Sequence, residues 1–118
     1  MRLVKLWVLA DKLLVHQLQN GVIRAMDKIR INTKVVPVEC LSYVCSNTSE
    51  NSALRRWFVH QSAYELQSGM YSEEPENFPQ EILLDIVTTL RSVLPESIAV
   101  GNKKCIKEFE VKAPNNEV

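Results

Sequence analysis

The chain has 118 residues, the usual length of one domain, and 46% of them are apolar, so one hydrophobic core can form. Lysine and arginine together number 14, as do aspartate and glutamate, which leaves no formal net charge. Because nucleic-acid binding relies on cations that contact phosphates, this balance argues against a nucleic-acid partner. No apolar run approaches the roughly 20 residues that span a bilayer, so a membrane partner is not expected either.

The amino terminus and the cysteines indicate an intracellular protein. The first ten residues combine a cation with an apolar stretch, as a signal peptide does, but Lys5 and Lys12 interrupt that pattern and no small-residue cleavage site follows. Three cysteines, an odd count, do not suggest a disulfide framework. We therefore expect reduced thiols and a location in the cytoplasm or the nucleus.

Apolar residues recur at helical spacing along most of the chain, which predicts an all-α fold. In the first half, helices are expected over residues 3–12 and 16–29. A connector at residues 31–34 then leads to a short helix at residues 37–45, which begins at a proline. Every predicted element in this half is a helix or a link between helices.

The fourth helix has a clear start and a clear end in the sequence. Asn51 or Ser52 is placed to cap its amino terminus, and Gly69 is expected to mark its carboxyl terminus. Its apolar and aromatic residues, including Trp57, are expected to pack in the core.

A proline-containing acidic loop at residues 71–77 precedes the last clear helix. This helix is expected to begin near Pro79 and to stop at Pro95. One apolar row along it is expected to face the core, and it consists of Ile82, Ile86, Leu90 and Val93, widened by Leu83, Val87 and Leu94.

These elements predict a single domain, an irregular bundle of about five helices over residues 1–95. The second, fourth and fifth helices are expected to form the core, and the short third helix fills between them. Residues 96–118 are expected to be a tail that is ordered in part at most. Within it, a short element is expected around residues 105–109, and residues 113–118 read as a frayed end.

The sequence offers little material for catalysis. His16 and His60 have no cysteine or carboxylate beside them at ligand spacing, and Cys40 and Cys45 do not form the close pair typical of zinc sites. No glycine-rich phosphate loop or nucleophile elbow is present. We predict no metal, no cofactor and no enzymatic activity, and buried, unreactive thiols.

The start of the fourth helix carries Arg55 and Arg56, where positive charge opposes the helix dipole. A carboxylate partner would offset this cost. An ion pair of Arg55 within the chain is the favoured interpretation, and a site for a protein partner is the alternative.

Several motifs, taken in order, resemble one known family. The sequence Leu-Trp-Val-Leu-Ala-Asp-Lys-Leu at residues 6–13, followed by Leu-Gln-Asn at 18–20, resembles the closing helices of a BTB/POZ domain. The later motifs are similar to the fungal branch of BTB proteins, and they are Tyr43-Val44, Asn47-Thr48, Ser-Ala-Leu-Arg at 52–55 and Phe-Pro-Gln-Glu at 78–81. The resemblance covers roughly residues 3–94.

On this resemblance, the chain is expected to be the helical carboxyl-terminal part of a fungal BTB protein, without the α/β half that precedes it. The implied function is protein–protein interaction of the adaptor or scaffold type, with a ubiquitin-ligase cullin as a partner by family likeness. The alternative is a truncated regulator that pairs with a full-length BTB relative. A small enzyme or a ligand carrier is a distant third.

The first helix would have packed against that α/β half, so its apolar stripe is expected to lack a partner. We therefore predict that the chain self-associates or holds another protein through this stripe. The predicted interface residues are Leu3, Leu6, Trp7 and Ala10, with Arg55 and Arg56 as a second candidate surface.

Overall fold

A computed structural model describes residues 1–67 and 69–111. Within these ranges the chain is all-α, as predicted, and contains no strand. The α-helices are α1 Arg2–Lys12, α2 His16–Thr33, α3 Leu41–Asn47, α4 Ala53–Glu65, α5 Gly69–Glu73, α6 Gln80–Val93 and α7 Glu96–Gly101. Three 3₁₀ turns accompany them at Val38–Cys40, Pro75–Asn77 and Ile106–Phe109. The number of helices exceeds the expected five because α5 and α7 form in segments where the sequence predicted a loop and a tail.

Helices α1 and α2 form an antiparallel hairpin with a three-residue turn. The Val15 N–H donates to the carbonyl of Ala10 at 2.9 Å, which closes the turn. Leu14 lies in the left-handed region with φ of 57°, a conformation that is uncommon for a leucine. A side-chain hydrogen bond of 3.1 Å from Gln19 Nε2 to Asp11 Oδ1 joins the two helices near the turn.

Helix α2 is longer than the sequence indicated. The connector predicted at residues 31–34 is wrong, because α2 continues to Thr33. Lys34 ends the helix in the left-handed conformation with φ of 57°, and its N–H donates to the carbonyl of Arg30. Neither glycine nor proline marks this end in the sequence, so the position of the stop was not readable from residue types.

The start of α4 agrees with the sequence and its end does not. Ser52 is the cap, since its side-chain oxygen accepts a hydrogen bond of 3.2 Å from the Arg55 N–H. The helix ends at Glu65, because Leu66 takes an extended conformation. Gly69 therefore begins α5 instead of ending α4, and the first part of the predicted acidic loop is helical.

The core lies where α1, α2, α3, α4 and the first half of α6 meet. The sequence predicted that α2, α4 and α6 would supply it, with α3 between them, but α1 also contributes Val4, Trp7 and Val8. The largest fully buried side chains include Phe58 and Leu54 of α4 and Leu41 of α3. Phe78 is buried just before α6, and its ring packs against that of Tyr71 with the centroids 4.9 Å apart.

The apolar row of α6 is only half covered, which corrects the sequence prediction. Ile82 and Ile86 are buried at 0% and 3% exposure, whereas Leu90 and Val93 are 41% and 55% exposed. The second half of α6 is therefore mostly exposed to solvent. Pro95 ends α6 as expected but also caps α7, which has no buried residue.

The segment after α7 contains the short element that the sequence predicted around residues 105–109. The 3₁₀ turn Ile106–Phe109 lies where a short element was expected. The frayed end predicted for residues 113–118 lies outside the described residues.

Candidate protein-interaction surface

The predicted stripe of α1 is divided between the core and the surface. Trp7 and Ala10 are 3% and 0% exposed, so their assignment to a partner interface is corrected. Leu3 is half-buried against the core, and Leu6 is 37% exposed. The physical reason is that α1 has apolar residues on nearly all sides. The other helices cover only the side that carries Val4, Trp7 and Val8.

The opposite side of α1 carries three exposed leucines. Leu6, Leu9 and Leu13 are 37%, 51% and 64% exposed and recur at spacings of three and four. This spacing places them in one row along the helix, pointing away from the core. A row of this kind on a helix whose other side is buried is a surface that can bind a second protein.

Helix α2 widens this row. Leu18 and Ile29 are 40% and 52% exposed, and they lie three helical turns apart on one side of α2. Ile29 lines a cleft together with Leu3 of α1, so this side of α2 borders α1. We call the surface made by Leu6, Leu9, Leu13, Leu18 and Ile29 the hairpin face.

Exposed cations border the hairpin face on both sides. On α1, Lys5 and Lys12 lie about a quarter turn from the leucine row, on the side away from α2. Lys5 Nζ is 5.8 Å from the centroid of the Tyr43 ring, so its ammonium group lies over α3. On α2, Arg24 and Lys28 are exposed next to the side of the helix that carries Leu18. The surface is therefore apolar at its centre and basic at its rim.

Polar contacts attach the hairpin to α4. Trp57 Nε1 donates to Asp27 Oδ1 at 3.2 Å, and Arg30 lies 3.5 Å from a Glu65 carboxylate oxygen. Arg30 also lies 3.8 Å from Asp27. These contacts hold α2 against α4, so the hairpin that carries the hairpin face is packed on the rest of the bundle.

The second predicted surface has a different character. Arg55 is 4% exposed, and its guanidinium contacts Asp85 at 3.0 Å and Glu81 at 3.2 Å. The predicted ion pair of Arg55 within the chain is confirmed. The alternative prediction, that Arg55 contacts a protein partner, is corrected because its guanidinium donors bind carboxylates of the same chain. Burial alone would lower the pKa of Arg55, but the hydrogen bond and charge of Asp85, with the hydrogen bond of Glu81, outweigh it and raise the pKa.

Arg56 remains at the surface. Its Nε donates to the carbonyl of Asn51 at 3.2 Å. It lines an open polar groove of about 290 Å³ together with His60, Glu50 and Thr88. Because this groove mixes both signs of charge and is open to solvent, it offers less burial to a partner than the hairpin face does.

The cysteines are not arranged as nucleophiles. Burial raises the pKa of the Cys40 and Cys45 thiols, which keeps them protonated at neutral pH. The His60 ring packs against the Tyr64 ring on the outside of α4, with the ring centroids 4.7 Å apart. Within residues 1–67 and 69–111, no three side chains of histidine, cysteine, aspartate or glutamate come together as metal ligands would.

Comparison with known proteins adds nothing to these observations. No protein-family model matches the chain, and neither a search of curated proteins nor a search of solved structures found a match. In the described part of the chain, every helix is too short or too polar to cross a bilayer.

Sequence reasoning missed Leu9 and Leu13 as surface residues. The signal was present, because Leu6, Leu9 and Leu13 follow helical spacing as well as the predicted stripe does. With apolar residues on two sides of one helix, the pattern could not say which side the bundle would cover.

Proposed function

We propose that this chain is a non-catalytic protein-interaction module and that the hairpin face is its binding surface. The observation that carries the proposal is the row of exposed leucines on α1, continued by Leu18 and Ile29 and bordered by lysines and arginines. Protein interfaces typically have an apolar centre that loses water on binding and a polar rim that stays partly wet. The hairpin face has both parts.

The chemistry of the remaining side chains supports a non-catalytic role. Protonated thiols are poor nucleophiles, and the most buried cation, Arg55, is held by two carboxylates of the same chain. The groove at Arg56 lies open to solvent, so it would not shield a reaction from water.

The resemblance to fungal BTB proteins gives the proposal its more specific form. In such a protein α1 and α2 would be the closing helices of the BTB domain, and the outer side of α1 would face the α/β half. We propose an adaptor or scaffold role of this kind, in the cytoplasm or nucleus. An exposed free thiol, as at Cys105, suits such a reducing compartment.

A binding experiment tests the proposal and separates its two forms. The purified chain is titrated by calorimetry with a full-length fungal BTB protein and, separately, with the amino-terminal region of a cullin. Binding to the cullin supports the adaptor form, and binding to the BTB protein supports the truncated-regulator form. In either case Leu9→Glu should weaken binding at least about tenfold, since a charge would then lie in the apolar centre.

The matched control is Val100→Glu. Val100 is 67% exposed, at least as exposed as Leu9 at 51%, and it lies on α7, outside the hairpin face. Its affinity should equal that of the unaltered chain. Absence of binding to both proteins, or equal binding by Leu9→Glu, would refute the proposed function.

A further inference from the structure

The charge of this neutral chain is divided unevenly between its parts. Residues 1–34, which form the hairpin, contain seven lysines and arginines and two aspartates, a formal charge of +5. Residues 65–96 contain seven acidic residues and one arginine, a formal charge of −6. The two segments therefore have formal charges of opposite sign. Glu65, Glu81 and Asp85 are already paired with arginines of the same chain. The charge that remains exposed on the two segments favours attraction between copies.

The acidic part carries its own exposed apolar row. Leu83, Val87, Leu90 and Leu94 of the α6 segment are 37%, 62%, 41% and 41% exposed, and they recur at spacings of four, three and four. This spacing is that of a helix seam that packs against another helix. We call these four residues the α6 row. It lies beside the buried Ile82 and Ile86, so it borders the core without being covered by it.

Acidic side chains lie at both ends of the α6 row. Glu73, Glu74 and Glu76 are exposed in the segment before α6. Glu96 follows the row and lies 2.9 Å from Arg91, with 84% of its side chain exposed. The α6 row is therefore preceded by exposed carboxylates and ends at the Arg91–Glu96 ion pair. The carboxylates before its amino-terminal end complement the basic rim of the hairpin face.

The two surfaces lie on different helices in the part of the chain that the structure describes. Helix α6 packs mainly against α4 and α3, whereas α1 packs mainly against α2. The hairpin face and the α6 row both remain exposed to solvent in the folded molecule. Contact between them thus requires two molecules.

We propose that the hairpin face of one copy docks on the α6 row of a second copy. If the second copy returns the same contact, a two-fold dimer forms in which both surfaces of both chains are covered. This inference rests on the proposed function, since it names the partner that the hairpin face takes when no other protein is present. A different protein at the hairpin face would have to displace the second copy.

The first test is the mass of the purified chain by light scattering between about 5 and 500 µM, a range in which an interface of modest affinity is detected. We expect a concentration-dependent dimer. Raising NaCl from 50 to 500 mM should weaken it about tenfold, because salt screens attraction between exposed charges. A monomer throughout the concentration range at low salt overturns the inference.

Single variants identify the surfaces involved. Leu9→Glu on the hairpin face and Val87→Glu on the α6 row should each give a monomer at concentrations where the unaltered chain is dimeric. Val100→Glu and Ile106→Glu are the controls, since both side chains are exposed apolar residues outside the two surfaces, and both variants should remain dimeric. Circular dichroism checks that every variant is folded.

Mixing the two monomeric variants tests the pairing itself. The Leu9→Glu chain keeps an intact α6 row, and the Val87→Glu chain keeps an intact hairpin face, so the mixture should form a heterodimer through one contact. If Val87→Glu alone stays dimeric, the hairpin faces pair with each other and the inference is wrong. It is equally wrong if the chain is monomeric and binds vesicles of anionic lipid through Leu9, because the basic rim would then serve a membrane.

The failures of the two proposals are distinguishable. If the chain is monomeric alone but binds the BTB protein or the cullin through Leu9, the proposed function stands and the docking of a second copy is refuted. If the chain dimerises as described but binds neither protein, the docking stands and the adaptor role is refuted.

Discussion

One apolar row runs through both halves of α6 at helical spacing, but the two halves have different surroundings. Ile82 and Ile86 in the first half are buried beneath α3 and α4, whereas Leu90 and Val93, about one and two turns beyond Ile86, are 41% and 55% exposed. The same helical pattern therefore fills the core at one end and faces water at the other. A periodic apolar row identifies the side of a helix that prefers to be buried, but it does not say how many turns a neighbour will cover.

The largest expected effect comes from truncating one side chain in each half. Ile82→Ala should lower the free energy of unfolding by about 3 kcal/mol, because it removes buried methylene groups and leaves a cavity. Leu90→Ala should cost less than about 1 kcal/mol, since its side chain is already partly in water. Urea unfolding of the two variants at a concentration where the chain is monomeric measures both values. Equal losses would mean that the second half of α6 is packed in solution.

A second contrast concerns the ion pairs that hold the first half of α6. Changing Glu81→Gln together with Asp85→Asn leaves the Arg55 guanidinium buried without a counter-charge, and we expect a loss of about 2 kcal/mol. The loss should fall below the roughly 3–5 kcal/mol of a fully buried pair, because the two carboxylate side chains are 64% and 43% exposed.

The matched variant for this pair is Arg55→Met, which removes the charge itself and retains most of the side-chain volume. It should cost less, about 1 kcal/mol, since no buried charge is left unpaired. A loss for Arg55→Met larger than that of the double variant would contradict this account of the ion pair.

The smallest expected effect is the pH dependence of stability that the buried thiols cause, which exposed Cys105 should not share. Burial raises the pKa of Cys40 and Cys45 above the ordinary 9.0. The unfolded chain therefore releases these protons first, and the free energy of unfolding should fall as pH rises above about 9, by less than about 1.4 kcal/mol per pH unit for each group. Tyr71, whose pKa burial raises above 10.0, adds to the loss at higher pH.

Thiol labelling provides the direct comparison for this prediction. Exposed Cys105 should react with an aromatic disulfide reagent in the folded protein, and buried Cys40 should react only after unfolding. Cys40→Ala should also make the alkaline decline of stability less steep. Rapid labelling of Cys40 in the native state would show that this part of the core opens readily.

Much of the fold was predictable from local features. Apolar spacing predicted α1, α2, α4 and α6, and a serine before an apolar run predicted the cap at Ser52. The position of Arg55 at a helix start also predicted an ion pair within the chain, and Arg55 forms ion pairs with Glu81 and Asp85. The end of α2 at Lys34 and the role of Gly69 were not predictable, because several residue types can take the left-handed or extended conformation that ends a helix.

The candidate surface divides in the same way. The sequence by itself determined that α1 is apolar enough to contact more than one neighbour, and that residues 1–34 are basic while residues 65–96 are acidic. Only the tertiary structure decided that Trp7 and Ala10 are buried and that Leu9 and Leu13 face water. The physical reason is that spacing depends on the helix alone, whereas burial depends on which neighbouring helix is close enough to exclude water from a given side.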